Sequence, residues 1–279
     1  MDIQTLVIGA TSAGIAYALS HPGCVIAEKG MNLLTDYTDC MNIRPVDTAA
    51  LADFSPMVRA LFAEAEAKNL VGAPDETHLA ALHPFPLIGL AAARLLEAKV
   101  PVLSFCRVQR IQAATGGFDV RLLCMDSHMT AHCGAVIDAT AYGDPAFAEA
   151  CGAVPAPSVG RAIAASMRAA GGVSSCGFDL PDGARMIKGR FDDEYYLELP
   201  LADTATYRDG FTALHDLWQK LAAGGGMAGF EYIDTAGELI YRTESFFFTE
   251  NSPDAYRLIP ATARDVFFNL DAAYKAVRR

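Results

Sequence analysis

An apolar run, Thr5-Leu6-Val7-Ile8, breaks at Gly9 and leads through Ala10-Thr11-Ser12-Ala13-Gly14 into an alanine-rich stretch ending at Leu19. A second apolar run, Cys24-Val25-Ile26-Ala27, then ends in Glu28. Strand, tight turn, helix and parallel strand within about thirty residues make the minimal right-handed βαβ crossover. Gly9 permits the sharp turn out of the strand, and Gly14 lets the helix pack close to the sheet. The free N–H groups at the helix start, around Thr11, Ser12 and Ala13, suit a pyrophosphate. Glu28 stands 19 residues beyond Gly9, where a carboxylate at a strand end accepts hydrogen bonds from ribose hydroxyls. Thr11 replaces the middle glycine of GxGxxG, and its hydroxyl can donate to the phosphate in place of a closer backbone. A crossover that binds no nucleotide satisfies the same local pattern.

The chain of 279 residues is long enough for one large α/β domain, or for a dinucleotide domain carrying an inserted substrate domain. Its hydrophobic fraction of 52% is largely alanine. No stretch approaches the roughly 18 uninterrupted apolar residues of a membrane span. The start, Met1-Asp2, has no basic region or small-residue cleavage site, so a soluble, cytoplasmic protein is expected. A net charge of −11 and a pI near 4.9 disfavour nucleic acid and anionic membranes. The expected partner is a small-molecule substrate, with a second subunit or a homo-oligomer also open. The seven cysteines, at 24, 40, 106, 124, 133, 151 and 176, include no CxxC pair and read as buried small hydrophobes rather than a disulfide framework.

Residues 31–54 read as loop. Ser55-Pro56 offers an N-cap and a proline at the first helical position, with Met57, Val58, Leu61 and Phe62 on one stripe. A further helix is predicted from Pro86 to Lys99. The pattern then turns β-like over 100–105, 107–113, 118–124, 128–132 and 134–138, with Gly116-Gly117 as a hairpin turn. The run from Gly134 to Thr140 is apolar on successive residues, as in a strand buried on both faces that returns to the first sheet. Further on, helices are predicted at 146–151, 207–222 and 265–277 and a strand at 194–199, with a glycine triplet, Gly224-Gly225-Gly226, as a loop.

A second constellation lies at Ile137-Asp138-Ala139-Thr140-Ala141-Tyr142-Gly143-Asp144, followed by Cys151-Gly152-Ala153. Small residues at the strand end, Ala139 and Thr140, can bring backbone against a cofactor. Asp144 either bonds cofactor hydroxyls and phosphate or serves as the N-cap of the next helix. Taken with the opening Val7 to Ala16, this order of motifs, about 120 residues apart, resembles the FAD-dependent oxidoreductases of the glutathione-reductase-like flavoprotein superfamily. The resemblance covers roughly the first 175 residues. It implies an α/β fold: a Rossmann-like FAD/NAD(P)-binding domain over 1–175, with a helical segment at 45–99 and an inserted β-meander at 100–133, and a smaller α+β substrate domain over 176–279. It also implies FAD as cofactor, with Glu28 and Lys29 at the ribose. Val108, in Arg107-Val108-Gln109-Arg110, is either the adenine edge or a core valine of the meander.

The chain departs from that family after Lys29, where Gly30-Met31-Asn32-Leu33-Leu34 replaces a Leu-Gly-Gly turn. It also lacks a recognisable C-terminal strand of the AGR or AGD type, so the family pattern reads as shortened there. Glu238 to Ser245 faintly resembles an Arg-Glu-Ser stretch of the family, with an exposed arginine and glutamate pair as the simpler reading. Cys40 is the thiol expected nearest a flavin, and Phe246-Phe247-Phe248 is expected in a core. The spacings of His78 with His83 and of His128 with His132 suit no metal site. The leading expectation is an FAD-dependent oxidoreductase acting on a small molecule, with no assignable acid, base or nucleophile. A non-catalytic or partner-dependent flavoprotein subunit and an NAD(P)-dependent dehydrogenase are the alternatives.

Overall fold

The computed structural model describes residues 1–152, 160–170, 180–225, 227 and 229–276. The opening folds as its pattern dictates: β1 (Asp2–Ile8), α1 (Ser12–Ser20) and β2 (Cys24–Ala27), with β1 and β2 parallel and Val7 opposite Ile26. From Thr5 to Ile8 every residue of β1 is buried, as expected of a strand covered on both faces.

The segment 31–54 is more ordered than a loop reading allows. Residues 33–44, apart from Asp39, are buried although they form no regular element. Their backbone polar groups are therefore satisfied locally: Leu34 and Thr35 donate to the Ala10 carbonyl, and Tyr37 and Thr38 to that of Leu34. The chain then forms β3 (Val46–Asp47) and a 3₁₀ turn at Thr48–Asp53 before α2 (Pro56–Ala67). The Ser55 hydroxyl makes no capping bond. Its amide instead donates to Asp271 at 2.6 Å, and Pro56 supplies the helical start. Next come β4 (Val71–Pro74), β5 (Leu79–Leu82) and α3 (Leu87–Glu97). The order β3-β5-β4 makes a separate small sheet inside the segment expected to be helical. Strands of two to four residues are too short to carry a readable alternation.

The meander follows as β6 (Val102–Leu103), β7 (Cys106–Ala114), β8 (Gly117–Cys124) and β9 (Ser127–Asp138). Gly116, at φ +78°, turns the hairpin. The two runs predicted at 128–132 and 134–138 are one strand. Its first half pairs antiparallel with β8 and its second half parallel with β1, setting Ile137 beside Val7. Hairpin register also places Cys106 opposite Cys124, and the two form a disulfide, which corrects the expectation of unpaired thiols. Two cysteines 18 residues apart carry no local signal of pairing. Cys24, Cys40, Cys133 and Cys151 are free and buried, while Cys176 lies outside the described residues.

After α4 (Pro145–Cys151) come β10 (Gly160–Ala169), β11 (Arg185–Lys188), β12 (Glu194–Leu201), α5 (Tyr207–Ala223), β13 (Phe230–Thr235) and β14 (Ile240–Arg242). They form a second sheet in the order β11-β12-β10-β13, with β14 also on β10. Leu214 of α5 covers one face with Ile163 and Leu197. Ala162, Ala164, Tyr196 and Ile240 on the other face pack against Cys40, Met41 and Ile43.

The chain then returns to the first sheet through β15 (Phe247–Ser252), β16 (Ala255–Ile259) and α6 (Val266–Ala276). Strand β16 lies parallel to β9, giving the main order β15-β16-β9-β1-β2-β6. A strand beside β9 is therefore present after the second sheet, and its sequence, Ala255-Tyr256-Arg257-Leu258-Ile259, matches neither expected motif. The boundary expected at 175 lies outside the described residues. Strand β10 already belongs to the second sheet, and the segment 247–276 belongs to the first. The phenylalanine run also differs from expectation. Phe246 packs against the core, but Phe248 is exposed on the edge strand and stacks on Tyr256. Val266, Phe267 and Leu270 of α6 share a core with Ala13 and Ala16 of α1, and Phe267 meets Phe62 edge-on at 5.2 Å. Among the described residues no helix is long and apolar enough to cross a membrane.

Candidate functional site

A cavity of about 550 Å³ opens beyond the carboxyl ends of β1, β2 and β9, within the size range of small-molecule sites. Gly9, Thr11, Glu28 and Lys29 line it from the first motif. Thr140 and Asp144 line it from the second, and Val108 from the meander. Ser12, Ala13, Gly14 and Ala139 are buried and adjoin these residues in the chain. The structure thus brings all eleven sequence-predicted positions to one place, seven of them at the cavity wall.

The small residues have a steric cause. Gly9 sits at φ +95°, and a Cβ there would lie 3.0 Å from the Thr140 methyl. A Cβ on Gly14 would be driven into the Gly9 carbonyl oxygen and lie 3.0 Å from that of Ala139. The turn, the helix start and the end of β9 therefore interlock through backbone.

Thr11 has a different role from the one its hydroxyl suggested. Its Oγ1 donates to the Ala139 carbonyl at 2.7 Å and accepts from the Gly14 amide at 3.2 Å, capping α1 and tying it to β9. Its one proton is engaged by that carbonyl. Thr11→Ala should lower the unfolding free energy by about 1–2 kcal/mol, the range for a lost N-cap, as read by urea denaturation; an unchanged midpoint would mean that water replaces both bonds.

Glu28 receives the Ala10 amide at 2.7 Å on one oxygen and the Gly30 amide at 2.9 Å on the other. Burial raises its carboxyl pKa, opposed by those two amides. Each oxygen keeps acceptor capacity for a further donor. Lys29 pairs with Glu238 and holds its ammonium 4.5 Å from the centre of the Tyr142 ring. Glu238 therefore belongs to the cavity wall, whereas Arg242 binds Glu198 on the second sheet. Glu244, two residues beyond Arg242, is exposed.

Asp138 organises the second motif. One oxygen accepts from the amide and hydroxyl of Thr140, the other from the Asp144 amide at 2.9 Å. Asp144 in turn caps α4 through the amides of Ala146 and Phe147, so the helix-cap reading holds for its side chain. Cys40 also reaches the cavity, but its thiol bonds the Leu239 carbonyl, and burial pushes its pKa well up. That combination makes it a poor nucleophile.

Sequence reasoning missed Asp36 and the wall contributed by the second sheet and its loops, including Arg161, Tyr207 and Tyr241. Asp36 is buried and lines the cavity at the start of α1, accepting from the Ser12 amide at 2.8 Å and the Ser12 hydroxyl at 2.5 Å. Nearby, Glu198 is fully buried and receives three arginines: Arg44 at 2.7 Å, Arg185 at 2.9 Å and Arg242. Among the described residues no group of histidine, cysteine, aspartate or glutamate is arranged to hold a metal.

No protein-family model matches the sequence, and a comparison with curated proteins finds no match. Solved structures do share the fold. OxyS anhydrotetracycline hydroxylase from Streptomyces rimosus superposes with a TM-score of 0.60 at 17% identity, covering 98% of this chain and 60% of that one. Aklavinone-11 hydroxylase in a ternary complex with FAD and aklavinone gives 0.66 at 11% identity, covering 98% and 62%. Glycine oxidase from Geobacillus kaustophilus gives 0.65 at 11% identity, covering 99% and 94%. The chain spans about 60% of the length of the two hydroxylases. It has the mixed α/β fold of FAD-dependent oxidoreductases, with a Rossmann-like parallel core.

Proposed function

We propose that this chain is an FAD-dependent oxidoreductase whose cavity takes the adenosine end of the cofactor and a small-molecule substrate nearby. The observation that carries this reading is the convergence of Gly9, Glu28, Val108 and Thr140 from four separate segments on one cavity.

The residues fit the adenosine half. Gly9 and Gly14 leave the close backbone approach that a side chain would fill, and Glu28 offers acceptors for ribose hydroxyls. Val108 would lie against the adenine, Lys29 beside the ribose, and Thr140 along the ribityl side. FAD, when bound, supplies two-electron transfer to or from the substrate. The chain's own residues bind, orient and exclude water. Tyr207, Tyr241 and Arg161 also line the cavity and would position the substrate.

The first test is the visible spectrum of the chain purified from a flavin-replete host, with released flavin quantified. Near-stoichiometric FAD is expected. Glu28→Gln should weaken FAD about tenfold to a hundredfold, the cost of about 1.5–3 kcal/mol for hydrogen bonds to a charged acceptor. Colourless protein that also fails to take up added FAD would overturn the reading.

A further inference from the structure

We infer that Asp36 determines which adenine ligands the cavity accepts: its carboxylate holds the Ser12 donors on which a pyrophosphate would bind, so adenosine enters undisturbed and ADP-bearing ligands must first displace it. The inference rests on the adenosine reading above.

The N-terminus of a helix is the natural seat of an anion, because its first amides lack intrahelical partners and the helix dipole is positive there. In this chain that seat already holds one. Of the donors at the start of α1, the Gly14 amide is taken by the Thr11 hydroxyl. The Ser12 amide and hydroxyl are both taken by Asp36. The carboxylate is itself buried and forms part of the cavity wall, alongside Thr11 and Gly9. It meets the cavity at the start of α1 while holding the Ser12 donors.

The surroundings make Asp36 depend on Ser12. Among the described residues no lysine or arginine pairs with it, and Glu28 adds a second negative charge nearby. Tyr37 and Cys40 next to it are buried groups whose pKa values stand well above the usual range, so they are neutral. Burial raises the Asp36 carboxyl to about 6, opposed by the Ser12 hydroxyl and amide. A phosphate brought to the same donors would meet a like charge at contact distance, and two anions cannot share them. A nucleoside carries no such charge. The adenosine contacts at Glu28 and Val108 remain available to it.

Calorimetric titration of the full chain, freed of bound flavin, with adenosine, ADP and FAD tests this in wild type, Asp36→Asn and Asp36→Ser. Adenosine should bind all three forms alike, and wild type should bind ADP no more tightly than adenosine. ADP and FAD should tighten about tenfold or more in both variants, as expected when a like charge is removed from beside a phosphate. Circular dichroism and thermal melting report whether each variant folds, and the wild-type ratio of ADP to adenosine decides the matter without them. If ADP binds wild type more tightly than adenosine, or equally in all folded forms, the role of Asp36 is overturned while the adenosine site stands. If no form binds adenosine, both readings fall.

Discussion

Glu198→Ala is expected to lower the unfolding free energy by about 3–5 kcal/mol, the usual cost of removing one partner from a buried ion pair. Glu198 is fully buried, and Arg44, nearly as buried, has no other carboxylate among its partners. Removing the glutamate leaves that guanidinium with two backbone carbonyls and no counter-charge. Urea denaturation followed through Trp218, the single tryptophan, would measure the loss. A loss below about 1 kcal/mol would mean that the arginines swing out to solvent, as exposed pairs do.

The same residue sets an acid limb. Burial alone would raise the Glu198 carboxyl, but Arg44, with Arg185 and Arg242, outweighs it and holds the value down to about 2. A depressed folded pKa means that the stabilisation is complete above the ordinary glutamate value and is lost as the pH falls through the folded one. Wild-type stability should therefore decline from about pH 5 towards pH 2, and the Glu198→Ala chain should show a shallower decline over that interval.

Gly14→Val is expected to cost about 2–3 kcal/mol, at the upper end of overpacking in a tight core, and to abolish adenosine binding. The clash is with backbone, the Gly9 carbonyl, and with the Ala139 Cβ, so no flexible side chain can move aside. Relief requires α1 to lift from the sheet, which would displace the Ser12 donors and distort the turn at Gly9. Thermal melting and adenosine titration report the two effects separately. Wild-type melting with binding lost would limit the damage to the turn, and unchanged binding would remove Gly14 from the site.

Gly9, Gly14 and Glu28 were legible because their requirements are local. A turn at positive φ, a close helix crossing and a carboxylate at a strand end are each written within about thirty residues. Asp36 carried no such signal: its neighbours show no periodicity, and its role depends on a buried loop folding back over α1. Glu198 was hidden for a related reason, since its arginines come from positions 44, 185 and 242. The bond of the Thr11 hydroxyl to the Ala139 carbonyl was not legible because that partner is supplied by tertiary packing. Strand β16 was missed because Arg257 interrupts its apolar run. Its neighbour in register is Asp138, which answers that charge from the adjacent strand at 3.6 Å.

The return of β16 and α6 to the first sheet bears on how the chain acquires its structure. During synthesis the βαβ opening emerges before the second sheet, and the strand beside β9 and the helix that covers α1 are made after it. Until then the apolar face of α1 and one long edge of β9 stay uncovered, a state prone to mispairing and to capture by chaperones. Late, long-range closure of this kind also slows folding, because the entropy of a large loop is lost before its contacts form. Nascent chains released before residue 255 should therefore be recovered as aggregates or chaperone complexes.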